Sequence, residues 1–327
     1  MIISKTPFRI SFFGGGTDYP VWYRINGGQV LSTTIDKYCY LTLRHLPPFF
    51  PHKHRIVYSK VEIVKDIDEI LHPAVRAIFK FFNVKEGIEL HHDGDLPARS
   101  GLGSSSAFTV GLINAMYALN GVIVSKERLA KEAIYIEREV LKENVGSQDQ
   151  VAVAYGGFNK ISFFGEDEIK IEPLILKKER LEQLQNHLML FFTGFSRIAS
   201  KIAKEQIKNT PQKTKELTRI YQLVDEAVRI LTEGRDLKEF GELLNESWKI
   251  KRSLSNKISN AKIDDIYKTA LGAGAIGGKI LGAGGGGFML LFVPPSKQPK
   301  VRKALKKLLE VKFKFENEGS RIIYYNQ

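Results

Sequence analysis

A two-domain α+β architecture is what this sequence predicts, on three observations. The chain has 327 residues, longer than one hydrophobic core usually serves, and 43% of them are hydrophobic, so two substantial cores are expected. Its amino-terminal part is rich in β-branched and aromatic runs that suit an antiparallel sheet. Its carboxy-terminal part carries helical periodicity instead, with Leu217, Ile220, Tyr221, Val224, Val228 and Leu231 on one face and Leu237, Phe240, Leu243, Leu244 and Trp248 on the next.

Taken in order, Ile2 to Phe13 reads as a strand interrupted or edged at Pro7, and it brings Arg9 close to the turn Gly14-Gly15-Gly16-Thr17-Asp18. Three glycines followed by Thr and Asp at a strand end suggest a ligand packed against backbone. Gln29 to Leu43 and Arg55 to Val64 are the next candidate strands. The proline-broken loop between them contains His52 and His54, whose spacing does not suit a helical metal pair. Pro73 to Phe82 reads as a helix and Gly87 to Asp93 as a strand, with His91 and His92 structural. That strand leads into Leu96 to Ala107, where Gly101 and Gly103 permit backbone angles that L-residues resist. Ser104, Ser105 and Ser106 then open an apolar helix through Phe108, Leu112, Met116 and Leu119. Its unpaired first N–H groups and positive dipole end suit a phosphate.

A second helix begins at the Ser125 cap and runs to Glu137; NVGSQDQ breaks it, and Asp149 falls in or just after the break. Gly156-Gly157 and a strand from Phe158 to Phe164 close the first domain. The charged stretch Glu166 to Arg180 is a hairpin and junction, which places the domains at 1–180 and 181–327. His187 to Thr193 is an apolar strand followed by Gly194-Phe195-Ser196-Arg197, and Asp264 to Leu271 is a short helix. The run Gly284 to Gly287 precedes the strand Phe288 to Val293. Four glycines there cost chain entropy and imply a close backbone approach, to a ligand or to the first domain. Lys297 to Lys314 patterns as an amphipathic helix with a solvated basic face, and Val311 to Phe315 and Arg321 to Tyr325 are the final strands.

Several function classes are disfavoured. Cys39 is the only cysteine, which excludes an intrachain disulfide or a multi-cysteine metal site and suits a reducing cytoplasm. No signal-peptide pattern and no membrane-length apolar run is seen, so a soluble, cytoplasmic protein without a membrane partner is expected. The net charge of +13 is compatible with nucleic acid, anionic membranes or phosphorylated small molecules. No aromatic residue interleaves the basic ones of Lys297 to Lys307, so no nucleic-acid partner is expected. Walker A and protein-kinase signatures are absent, and the central stretch lacks the GxGxxG spacing.

Three stretches together, PFRISFFGGGTDYP, LPARSGLGSSSAFTVGLINA and GGKILGAGGGGFMLLF, resemble the motifs of the galactokinase, homoserine kinase, mevalonate kinase and phosphomevalonate kinase (GHMP) superfamily. The resemblance implies an amino-terminal domain like a ribosomal-protein fold, with a rare left-handed βαβ crossover, and a ferredoxin-like carboxy-terminal domain. It further implies that ATP lies on Pro97, Ser100, Gly101, Leu102, Gly103, Ser104, Ser105 and Ser106. Mg²⁺ would sit on Ser105 and Glu137, with Ser104 or Ser106 able to exchange for Ser105. Asp149 would be the base that takes the proton of the attacking hydroxyl, oriented by Arg9. Gly16, Thr17, Asp18, Arg197, Gly284 and Gly285 would meet the substrate.

GGGTDYP, VGSQDQ, TGFSRIAS and SWKIKRSLS carry the resemblance to the D-glycero-D-manno-heptose 7-phosphate kinases, which phosphorylate the anomeric hydroxyl of a sugar phosphate. Arg197, Lys201, Lys251 and Arg252 are then candidates to hold the substrate's phosphate. Gly15-Gly16 replaces the Glu-His that galactokinases carry before TDY, which argues against galactose. A kinase of an unphosphorylated sugar (fucose, galactose or an N-acetylhexosamine) is the alternative. Arg9, Glu137 and Asp149 are all present, which argues against a non-catalytic sensor or nucleic-acid binder. The sequence is compatible with a homodimer.

Overall fold

A computed structural model describes residues 1–194 and 199–326. The chain opens with the long strand β1 (Ile2–Phe13), helix α1 (Pro20–Asn26) and the 18-residue strand β2 (Gly28–His45). Pro7 sits in β1 where its register against β2 shifts, the kind of place in a sheet that tolerates a missing N–H. The expected strand from 55 to 64 is a hairpin, β3 (His54–Val57) and β4 (Val61–Val64), because the chain turns so that Tyr58 N–H donates to Lys60 O at 2.8 Å. Then follow α2 (Pro73–Phe81), β5 (Ile88–Gly94) and α3 (Ser104–Leu119). Every residue of α3 from Ser106 to Leu119 is buried, so it is an apolar helix enclosed on all sides.

Helix α4 (Lys126–Tyr135) is capped by the Ser125 hydroxyl, which accepts from Arg128 N–H at 3.2 Å. It passes into a π-helical turn, Ile136–Val140, and then α5 (Gln148–Tyr155), a helix too short for periodicity to reveal. The hairpin β6 (Phe158–Phe164) and β7 (Glu168–Pro173) leads to α6 (Lys178–Asn186). The remaining elements are β8 (Leu188–Phe192), α7 (Ala199–Asn209), α8 (Thr214–Thr232), α9 (Leu237–Ser253), α10 (Ala261–Gly272), β9 (Gly277–Ile280), β10 (Phe288–Phe292), α11 (Gln298–Ala304), β11 (Leu309–Glu310), β12 (Phe315–Glu316) and β13 (Arg321–Tyr325).

Two sheets organise these elements. The first runs β13-β1-β2-β5-β3-β4, with β12 and β6 also on β2 and β7 on β6; only the β3–β5 pairing is parallel. The second is antiparallel with order β11-β8-β10-β9, which places fourth, first, third and second strands side by side, the ferredoxin-like arrangement. The segment 181–327 does not stay in the second sheet. Its last strands return to the first, where Ser4 pairs with Ile322 and Ile35 with Phe315. That return also overturns two local expectations. The helix expected to Lys314 ends at Ala304, and the strand expected over 311–315 is split into β11 on β8 and β12 on β2, because this stretch crosses from one sheet to the other.

Contacts between the halves include aromatic and backbone ones beside polar side-chain contacts such as the Lys160–Asp225 pair at 2.6 Å. Phe12 and Phe13 of β1 meet Phe240 of α9 edge-on at 5.6 and 5.1 Å. The glycine run before β10 lies directly on the loop before α3. A Cβ on Gly287 would stand 2.2 Å from Ser100 O, and one on Gly101 2.4 Å from Leu281 O, with φ of +95° and +86° at the two glycines. Phe288 N–H completes the seam by donating to Ser100 O at 3.2 Å. Gly287→Ala is therefore expected to lower stability by at least about 1 kcal/mol, through both its left-handed φ and the collision, as read by urea unfolding. An unchanged midpoint would mean that this seam yields freely.

Candidate active site

Arg9, near the middle of β1, is 3% exposed, and each nitrogen of its guanidinium bonds to the chain. Nε and Nη2 donate to the two carboxylate oxygens of Asp149 at 2.8 and 2.6 Å, and Nη1 donates to Gly101 O at 2.7 Å. This is the bidentate fork that arginine forms with a carboxylate. Asp149 stands in the first turn of α5 with its side chain 27% exposed, so its remaining lone pairs face outward. Gly103 has φ of +75°, and a Cβ there would press on Arg9 Cγ at 3.1 Å. Glycine is required at that position to let the α3 loop close over the pair.

The loop before α3 leaves its helix end open. Gly103 is the N-cap in a left-handed conformation and supplies no side-chain acceptor, so the first N–H groups of α3 are not capped by it. The three serines that follow have separate places, because successive helix residues point about 100° apart. Ser104 Oγ accepts from Arg99 N–H at 3.1 Å, Ser105 is exposed, and Ser106 Oγ donates to Glu137 Oε2 at 3.0 Å. The serine that meets Glu137 is thus Ser106, one of the two expected to be able to exchange for Ser105. Pro97 is exposed and Ser100 and Leu102 are buried; Leu102 O accepts from Arg9 N–H at 3.0 Å.

Glu137 lies in the π-helical turn and is 1% exposed. Burial pushes its carboxyl up to about 7, against the nearby Thr109 hydroxyl and hydrogen bonds from Gln150 and Ser106, and helped by nearby Glu143. Gln150 Nε2 donates to Oε2, whereas Oε1 has no hydrogen-bond partner among the described residues. An orphaned, buried carboxylate oxygen next to a serine hydroxyl is a hard-oxygen pair that suits Mg²⁺. Beyond this pair, no cluster of three or more His, Cys, Asp or Glu suited to a metal occurs among the described residues.

The Gly14–Asp18 turn buries both of its side chains. Asp18 is 2% exposed, accepting from Gly16 N–H at 2.9 Å and Gln148 Nε2 at 2.9 Å, and burial raises its carboxyl above the ordinary range. Gly146 leaves the space that Asp18 needs, since a Cβ there would stand 1.9 Å from Oδ2. The Thr17 hydroxyl is used inside the turn, bonding Gly14 O and Gln29 O and accepting from Gln29 N–H. Gly284 and Gly285 lie against Ile258: a Cβ on Gly284 would stand 2.7 Å from Ile258 O, and Gly285 N–H donates to it at 2.8 Å. Arg197 and the Lys201 side chain lie outside the described residues. Arg252 is paired with Asp264 at 2.8 Å.

Two buried lysines complete the cluster. Lys279 of β9 donates to Ser11 O and Phe12 O at 2.9 Å each, and burial pushes its ammonium well down. Lys251 of α9 donates to Gly282 O at 2.7 Å and is pushed down to about 8 by burial, with Asp18 opposing that shift. The roles of Lys279, Gln148, Gln150 and Gly146 escape a sequence reading. The one available signal is a charged residue isolated in the apolar run GGKILG, and the consecutive polar QDQ. A surface cavity of about 430 Å³ lined by Gly157, Asn159, Pro173, Leu181 and Asn317 shares none of these residues.

The family description "GHMP kinases N terminal domain" matches residues 69–157, and "GHMP kinases C terminal" matches residues 222–311. The chain is also 33% identical to a D-glycero-alpha-D-manno-heptose 7-phosphate kinase of Campylobacter jejuni, across 94% of this chain and 93% of that one. The chain belongs to the GHMP kinases. A crystal structure described as a D-glycero-D-manno-heptose 1-phosphate kinase from Bacteriodes thetaiotaomicron superposes with a TM-score of 0.82 at 25% identity, covering 100% of both chains. A galactokinase of Pyrococcus furiosus is 25% identical over 96% of this chain and 95% of its own. This GHMP kinase is a phosphotransferase with an alcohol group as acceptor and ATP as donor. No helix among its described residues is long and apolar enough to cross a membrane.

The raised Glu137 carboxyl makes a signed pH prediction. The folded chain holds that proton up to about pH 7, whereas the unfolded chain releases it near 4.5. Stability of the metal-free protein should therefore fall as pH rises through that window, on the order of 3 kcal/mol in total for this group. Glu137→Gln cannot release a proton. Its stability relative to wild type, by urea unfolding in chelator, should increase between pH 5 and pH 8; a constant difference would show that Glu137 titrates normally.

Proposed function

We propose that this GHMP kinase transfers the γ-phosphoryl group of ATP to the anomeric hydroxyl of a sugar phosphate, converting D-glycero-D-manno-heptose 7-phosphate to the 1,7-bisphosphate. The observation that carries the reading is the Arg9–Asp149 fork beside the uncapped start of α3. It pairs an oriented carboxylate with a site for anionic phosphate. The heptose assignment is supported by the full-length similarity to the Campylobacter jejuni heptose 7-phosphate kinase.

In this reading the triphosphate lies along the loop Pro97–Ser106, with the first N–H groups of α3 directed at its oxygens. Asp149 accepts the proton of the anomeric hydroxyl as that oxygen forms its bond to the γ-phosphorus and the bond to ADP breaks. Arg9 keeps the carboxylate aimed. Asp18, held by Gly16 and Gln148, accepts hydrogen bonds from sugar hydroxyls. Glu137 with Ser106 would hold Mg²⁺, which supplies positive charge to the phosphate oxygens.

The second reading is a kinase of an unphosphorylated sugar, favoured by the full-length similarity to a galactokinase. ADP release measured over heptose 7-phosphate, fucose, galactose and N-acetylhexosamines separates the two. The first expects turnover with heptose 7-phosphate; turnover confined to a neutral sugar would replace it with the second. Asp149→Asn should keep ATP affinity while kcat falls about a hundredfold or more. An unchanged kcat would remove Asp149 from proton transfer.

A further inference from the structure

Of the three cations in the cluster, Lys251 commits the smallest share of its donors among the described residues. Arg9 is neutralised by Asp149 and closed by Gly101 O, and Lys279 is held by two carbonyls. Lys251 makes a single hydrogen bond among the described residues, to Gly282 O, although an ammonium carries three donors. Its side chain projects from the last turn of α9 and is 6% exposed, so the unspent donors are not idle in bulk water.

What the ammonium faces is defined by a missing side chain. A Cβ built on Gly15 would lie 3.4 Å from Lys251 Nζ and 3.8 Å from Gln148 Nε2. The glycine therefore leaves open the space between these two groups, in which any other residue would place atoms. Gln148 adds an independent sign of a ligand. Its Nε2 is committed to Asp18, but Oε1 is buried and has no partner among the described residues. A buried acceptor without a donor costs about 1–3 kcal/mol unless something supplies one. Asp18, Asp149, Arg9 and Lys279 are the charged groups that act on this lysine or lie against it.

We propose that Lys251 is a further catalytic residue of this kinase. Its ammonium binds a phosphoryl oxygen of the reactants in the space above Gly15, while Gln148 Oε1 accepts a hydrogen bond from a hydroxyl of the same bound acceptor. The inference rests on the kinase reading above. The phosphoryl oxygen has two sources: the group in transfer, which meets Lys251 as charge redistributes over its oxygens, or the phosphate already on the acceptor. Both are oxyanions, complementary in charge to a buried ammonium.

Lys251→Met removes the charge at similar length and eliminates a buried cation, so the variant should keep its melting temperature. Steady-state kinetics of wild type and Lys251→Met are compared on heptose 7-phosphate and on the matching heptose without phosphate. A fall in kcat of a hundredfold or more on every acceptor assigns Lys251 to the group in transfer. A tenfold or larger rise in KM confined to the phosphorylated acceptor, with kcat kept, assigns it to the acceptor's phosphate. Lys251→Arg should recover part of either loss. If Lys251→Met proves too unstable to assay, Lys251→Gln is read the same way. Unchanged kcat and KM in a folded variant would overturn the proposal and leave Lys251 a structural tie to Gly282. Because the comparison is made on whichever acceptor wild type turns over, a wrong heptose assignment shows as an inactive wild-type arm and is separable from a wrong role for Lys251.

Discussion

Arg9 is the point on which the geometry of the site depends. One buried guanidinium on the central strand β1 joins the turn into α3, through Gly101 O, to the first turn of α5, through Asp149. Burying such a cation carries a desolvation penalty of several kcal/mol, recovered only when its donors are satisfied in good geometry. The fork and the carbonyl bond each of its nitrogens, and in doing so they hold the loop before α3 and the Asp149 carboxylate in one frame. A lysine, with a point charge on a flexible stem, would leave the α5 side free to turn.

Around that satisfied pair lies a shell that is not satisfied. Glu137 is pushed toward its protonated form, Lys251 and Lys279 toward neutral amines, and Glu137 Oε1 and Gln148 Oε1 lack partners among the described residues. Burial is the first cause of all three shifts, and each would be relieved by a ligand of opposite charge. A divalent cation at Glu137 and phosphate oxygens at the lysine are complementary to this shell. Part of the binding energy of the reactants is thus drawn from strain already present in the protein.

The backbone seam between the α3 loop and the glycine run before β10 makes this arrangement possible. Gly101, Gly282 and Gly287 bring two main chains so close that side chains are excluded. The carbonyl of Gly282, freed at that seam, is the one that holds Lys251. The two sheets therefore contribute to a single site: Arg9 and Asp18 from the first, Lys279 and the glycine run from the second, and Lys251 from α9, which packs on β9.

Local pattern was enough for the long elements and the three glycine motifs. Residues 2–13, 104–119 and 288–292 declare their conformation through runs, periodicity and glycine, which are properties of neighbours along the chain. Short elements such as α1, α5 and β9 carry too few residues for a period, and the stretch 304–316 departs from its local pattern because its two short strands answer to partners in different sheets. The sequence by itself determined the family, and it singled out the loop before α3 with Arg9, Glu137 and Asp149 as the expected site. Only the tertiary structure decided which serine meets Glu137, that Thr17 is spent inside its own turn, that Arg252 belongs to Asp264, and that Lys251 reaches the space above Gly15. The physical reason is the same in each case: a hydrogen bond or an ion pair is settled by distance and direction between groups remote in sequence, and residue spacing contains neither.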